Sequence, residues 1–169
     1  MGLGMRMTIL ALALFLCARQ LQASLGDTET DLIKRYGPKL GTFVSDSGKF
    51  STEEFEFQGY HVSVTLLDRV SGKETFTRLD KKPLDLVELQ ILLDGNSLGS
   101  KWEKKDDNET VTIWVLESKE AFAGYYKSLH SFTVKTSEML AMEEALLKLQ
   151  QQQQESQATQ DPIKRNLRP

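Results

Sequence analysis

Residues 54–67, EFEFQGYHVSVTLL, alternate apolar and polar side chains on both sides of Gln58-Gly59. Successive strand side chains point to opposite faces, so Phe55 and Phe57 share one face and Glu54 and Glu56 the other. Past the glycine, Tyr60, Val62, Val64 and Leu66 again share a face. Two alternating runs joined by a two-residue loop with glycine signal a β-hairpin. Such a hairpin has one wet face and one dry face, and the dry face needs an apolar cover.

The cover is written on either side of it. Upstream, DTETDLIKRYGPK (27–39) reads as a short helix. Thr28 caps its first turn with Asp31 as capping-box-like partner, Gly37 supplies a left-handed stop, and Pro38 prevents continuation. Leu32, Ile33 and Tyr36 fall at spacings that share one helical face. Downstream, PLDLVELQILLDGNS (83–97) predicts a helix over 85–94. Asp85 is the cap, Glu88 its capping-box partner, and Leu84 with Leu89 a hydrophobic staple. Val87, Ile91 and Leu92 complete the apolar stripe, and Gly95 ends the helix.

The remaining segments fill in a sheet. DRVSG (68–72) makes a turn, and KETFTRL (73–79) is a third strand with Phe76 and Leu79 toward the core. KWEKK (101–105) is short and charged, the profile of an edge strand. VTIWVL (111–116), AFAGYY (121–126) and SFTVKT (131–136) follow as successive antiparallel strands. The predicted fold class is α+β: two short helices against an antiparallel sheet, ordered helix–three strands, helix–three or four strands. DLI at 31 and DLV at 85 hold matching places, as a duplicated unit would have them.

Met139, Met142, Leu146 and Leu149 are spaced 3, 4 and 3, the seam of a short coiled coil or of a helix lying on a sheet. Five glutamines from Gln150 and the polar stretch to Pro169 then read as a disordered tail. The expected organisation is a signal peptide at 1–23, one α+β domain at 27–149 and the Gln-rich tail at 150–169. The leader rests on Arg6, the apolar run Ile9–Ala18 and small residues at Ala18 and Ala23. That run is short of the roughly 20 residues a membrane span needs. The protein is therefore expected to be exported, periplasmic or secreted.

Cys17, the single cysteine, lies inside this run. It is a candidate for lipidation, although a lipobox wants a small residue where Leu16 stands. The plainer reading is one more apolar residue of the signal. A membrane is an expected partner only if Cys17 is lipidated. Cleavage at 23 removes Arg6 and Arg19 but no acid, taking the formal charge from −3 to −5. A mildly acidic surface argues against nucleic acid as a partner.

The chemistry is sparse. His61 and His130 are the two histidines, and His61 shares the polar strand face with Ser63 and Thr65. Same-face neighbours two apart on a strand lie roughly 7 Å from each other, and no third orienting group is indicated. There is no HExxH, clustered histidine or cysteine pair, so neither metal nor cofactor is expected. DDNET (106–110) lacks the ligand order of a calcium loop, and GNSLGS (95–100) follows a helix rather than opening one. No catalytic residue is assigned.

The segments RYG (35–37), GYHVSV (59–64), LLDGNS (92–97), Trp102, AFAGYY (121–126) and TVKT (133–136) together resemble a group of small exported bacterial proteins of unknown function, over residues 27–140. The resemblance implies an envelope or secreted setting and carries over no catalytic residues. The order of elements is also similar to the β-lactamase-inhibitor-protein fold and to small outer-membrane-assembly lipoproteins, at the level of fold alone.

The leading expectation is a non-catalytic exported module that binds a protein partner or self-associates through the C-terminal helix. Its candidate binding residues are Met139, Met142, Leu146 and Leu149 on that helix and Trp114, Tyr125 and Tyr126 on the sheet. The competing expectations are a small hydrolase with a carboxylate and tyrosine site, and an envelope-anchored accessory lipoprotein.

Overall fold

In the computed structural model, which describes residues 25–45 and 48–165, α1 (Glu29–Tyr36) leads into a meander. Its strands are β1 (Gly41–Val44), β2 (Phe50–Phe57), β3 (Tyr60–Leu67) and β4 (Val70–Arg78). Next, α2 (Leu86–Gly95) leads into β5 (Trp102–Asp107), β6 (Val111–Leu116), β7 (Ala121–Tyr126) and β8 (Ser131–Thr136). The chain then enters α3 (Ser137–Arg165). The strands form one antiparallel sheet in the order β1-β2-β3-β4-β8-β7-β6-β5. The fold is α+β, a helix and four-strand meander used twice, with the two copies joined along their last strands.

The hairpin forms as its alternation demands. Phe55 stands opposite Val62 and Phe57 opposite Tyr60. Gln58 and Gly59 both have positive φ (49° and 87°), the type I′ geometry that matches strand twist. The next hairpin is tighter than the expected DRVSG turn. Asp68 and Arg69 alone make it, again at positive φ, and Val70, Ser71 and Gly72 belong to β4. A bulge between Thr65 and Leu66 takes up the extra residue. The first strand, GTFV, has no counterpart in the sequence reading, because four residues are too few to display a period. At the far side, β5 is the charged edge strand that KWEKK predicts.

Both short helices cover the same face. Leu32 and Tyr36 of α1 and Leu89, Leu92 and Leu93 of α2 join one buried cluster with Phe55, Val62, Phe76, Phe132 and Val134. Two stripes differ from expectation. In α1, Ile33 turns to solvent, since Leu32 and Tyr36 at i and i+4 already define the inner face. In α2, Val87 and Ile91 are exposed and Leu93 is buried. That helix is apolar nearly all round, so periodicity alone does not choose its face. Leu79, expected in the core, lies beyond the end of β4 and is exposed.

The choice of face in α2 is made by its first turn. Asp85 accepts hydrogen bonds from the backbone N–H groups of Val87 and Glu88, both at 2.8 Å, and Glu88 accepts from the Asp85 N–H. The other Glu88 oxygen accepts from the Tyr60 hydroxyl (2.5 Å) and Arg78 (2.6 Å). One carboxylate thus caps the helix and ties it to β3 and β4. Burial and Glu88 together push the Tyr60 phenol well above its ordinary pKa, so it stays a donor. On the α1 side, the buried Glu74 accepts from the Tyr36 hydroxyl (2.9 Å) and from Ser71 (3.0 Å).

Asp85→Ala is expected to cost about 1 kcal/mol through loss of the cap. Leu92→Ala should cost about 2–5 kcal/mol by opening a cavity, while Val87→Ala should stay within roughly 0.5 kcal/mol. Denaturant melts of the three variants check this. Equal losses at Leu92 and Val87 would mean that α2 packs by another face.

Candidate functional site

The opposite sheet face carries α3. Thr136 caps it, its hydroxyl accepting the Met139 N–H at 3.1 Å. Met139 is 1% exposed and sits over the bulge, where a Cβ on Gly72 would come 2.7 Å from its terminal methyl. The glycine therefore makes the space that the methionine fills. One turn on, the Glu143 carboxylate takes Lys73 at 2.9 Å and Lys135 at 2.6 Å, two residues paired across β4 and β8. Burial works against ionising Glu143, but the two lysines outweigh it and hold its pKa below the usual glutamate value.

After Glu143 the helix offers apolar side chains to solvent. Leu146 is 40%, Leu147 58% and Leu149 54% exposed. With 29 residues at 1.5 Å rise, α3 is roughly 44 Å long, and its anchors lie in its first two turns. The sequence reading leaves 150–169 without structure, whereas the helix continues through the glutamines to Arg165. Straight-chain glutamine loses little rotamer freedom in a helix and does not compete for its backbone hydrogen bonds.

Beside the first turn lies an apolar recess of about 220 Å³. Leu140, Ile113, Phe122 and Tyr126 line it, with Thr133 and Lys135 on its polar side. Gly124 forms part of its floor, and the Tyr126 ring lies close over that glycine. Nothing in the sequence pattern singles out Leu140, Ile113 or Phe122. Leu140 is off the heptad seam, and β6 and β7 are apolar on both faces, so alternation does not mark a second apolar surface.

The predicted binding residues are divided between two surfaces. Met139 is the buried anchor, Met142 is half-buried, and Leu146 and Leu149 are exposed. Tyr126 belongs to the α3 face, but its neighbour Tyr125 points into the opposite core, where its hydroxyl accepts the Leu84 N–H at 3.2 Å. Trp114 is also on that side, against Phe132 with ring centroids 6.4 Å apart. Strand alternation separates these aromatics, so they form no single patch. Cys17 and the segment 1–23 lie outside the described residues.

The polar half of the α3 face holds one arrangement hidden from sequence. Glu54, opposite Ser63 in register, accepts the Ser63 hydroxyl at 3.0 Å with one oxygen. Its other oxygen lies 3.0 Å from His61 Nε2 but has no aligned hydrogen-bond donor. The carboxylate sits between serine and imidazole, so the imidazole does not take the serine proton. His130 is engaged elsewhere, its Nδ1 2.9 Å from the Lys81 carbonyl. Among the described residues no cluster of three or more His, Cys, Asp or Glu is placed to hold a metal. No helix among them is long and apolar enough to cross a membrane.

Comparisons with family models, with curated proteins and with solved structures find no match to this chain.

The Glu143 clasp is a testable part of this surface. Its pKa is lower folded than unfolded, so its contribution is fully present above the unfolded value near 4.5 and is lost as pH falls through the folded value. Hydrogen exchange in α3 between residues 139 and 147 should accelerate as pH drops below the unfolded value and through the lower folded one, after correction for intrinsic rates. Glu143→Gln should remove most of that acid dependence; an unchanged profile would show that the clasp does not hold the helix.

Proposed function

We propose that this chain is a non-catalytic, exported protein-binding module that takes an amphipathic helix of a partner protein on the α3 face. The observation that carries the reading is the state of α3 after Glu143. A helix secured by one methionine and one carboxylate continues with Leu146, Leu147 and Leu149 uncovered. Leu140 lines the recess and starts the i, i+7 row that Leu147 continues, so sheet and helix contribute to one apolar surface. A leucine row at this spacing is the complement of another amphipathic helix. Glu138 and Glu144 are exposed on α3 and favour basic residues at the flanks of the partner helix. Export is supported by Arg6 and the Ile9–Ala18 run. The hydrolase reading is supported by His61, Glu54 and Ser63 lying together, and it is second because the carboxylate blocks the relay.

A photo-crosslinking side chain at Leu147, in the producing cell, tests this directly. It should trap one defined partner in the exported fraction, on a chain whose N-terminus falls between Arg19 and Gly26. Leu146→Glu with Leu149→Glu should abolish the crosslink without changing the melting temperature, and His61→Ala with His130→Ala should leave it intact. Crosslinks only to a second copy would replace the partner by self-association. Loss of the crosslink on removing the histidines alone would overturn the non-enzymatic reading.

A further inference from the structure

The helix-covered face is not covered evenly. The inner face of α2 (Leu89, Leu92 and Leu93) is buried in the core, and Leu116 and Thr112 of β6 are buried as well, yet between them the inward face of β5 and β6 presents Trp102, Lys104 and Trp114. Both tryptophans are only partly buried there. A cleft of about 450 Å³ opens between the α2 C-terminus and these strands, within the size range of small-molecule sites.

Its floor is rigid. The Trp102 indole N–H donates to the Leu93 carbonyl at 2.6 Å, which fixes that ring and ties β5 to the last turn of α2. Trp114 is backed by Phe132 and stands opposite Lys104 in register. Its own indole N–H has no protein acceptor among the described residues. Around the floor stand Gln90 and Asp94 from α2, Ser97, Ser100 and Lys101 from the following loop, and Lys104. Gln90 and Asp94 orient each other through a 2.8 Å hydrogen bond.

The geometry points to this cleft as a saccharide-binding site. A sugar ring offers an apolar C–H face, which suits an indole, and hydroxyls that both donate and accept. The rim supplies amide, carboxylate, hydroxyl and ammonium groups in one ring, so each hydroxyl meets a partner of either kind. Other ligand classes fit less well. Two indoles and one leucine leave no dry depth for an acyl chain. Lys104 is already held by Asp107 at 3.0 Å, which leaves Lys101 as the single rim cation for a phosphate.

The chain has two tryptophans, and both line the cleft, so its intrinsic tryptophan emission reads this site alone. Chitotriose, maltotriose and a galacturonate trimer are the probes, with adenosine monophosphate as the comparison. At least one trisaccharide should shift the emission saturably at millimolar concentration, and the nucleotide should not. Gln90→Ala with Asp94→Ala, both on the exposed side of α2, should weaken that binding at least tenfold while the far-UV spectrum and melting temperature stay at wild type. Leu146→Glu with Leu149→Glu should leave it unchanged, which separates this site from the α3 surface. No saturable response to any trisaccharide, an equal response to the nucleotide, or full binding by the rim variant would each overturn the proposal.

Discussion

The structure turns on the pairing of β4 with β8. Each is the last strand of its meander, and their antiparallel register sets Phe76 opposite Phe132 and Thr75 opposite Thr133. Neither meander reaches an adequate core alone: a four-stranded sheet with one short helix buries little apolar surface. Joined at this seam, Phe76 and Phe132 come within 6.4 Å at the centre of a single cluster that draws on both helices and on strands from both halves. On the other face the same seam sets Lys73 opposite Lys135, and that pair receives Glu143. The junction therefore fixes the core on one side and the position of α3 on the other.

The two faces follow from one sequence habit. Side chains facing the short helices are mostly aromatic and aliphatic, with Glu53 and Glu74 buried among them, while those facing α3 over β2 to β4 are threonine, serine, glutamate, histidine and lysine. Thr75 and Thr133 meet there at 3.0 Å and Thr52 and Thr65 at 3.4 Å, hydrogen-bonded pairs that keep a β-branched surface wet. Toward β6 and β7 that surface turns apolar at Ile113, Phe122 and Tyr126. The binding reading depends on that change of character together with the exposed leucines of α3.

Much of the fold was legible because its signals are local. The hairpin at 54–67, both helix caps, the charged edge strand and the repeated helix-then-strands order each need only a few neighbouring residues. What stayed hidden depends on register. Glu54 beside Ser63 and His61 is a cross-strand neighbour, and the pairing of Lys73 with Lys135 needs the order of strands. The face of α2 is decided by Glu88 reaching Tyr60 and Arg78, not by its own periodicity. The aromatic cluster expected from Trp114, Tyr125 and Tyr126 is split by alternation, a rule visible in sequence that a count of aromatics overlooks. The cleft at Trp102 and Trp114 arises from where α2 ends, which only the packed structure fixes.

One seam unites the halves, and α3 rests on it by its first turns. Native-state hydrogen exchange resolved by residue measures both at once. Amides of β4 at 73–77 and of β8 at 131–135 should exchange slowest and at a common free energy, that of global unfolding, with α3 past Lys148 exchanging far faster. One meander keeping its protection after the other had opened, or glutamines at 150–154 as protected as β8, would rule out a shared seam with α3 held only by its first turns.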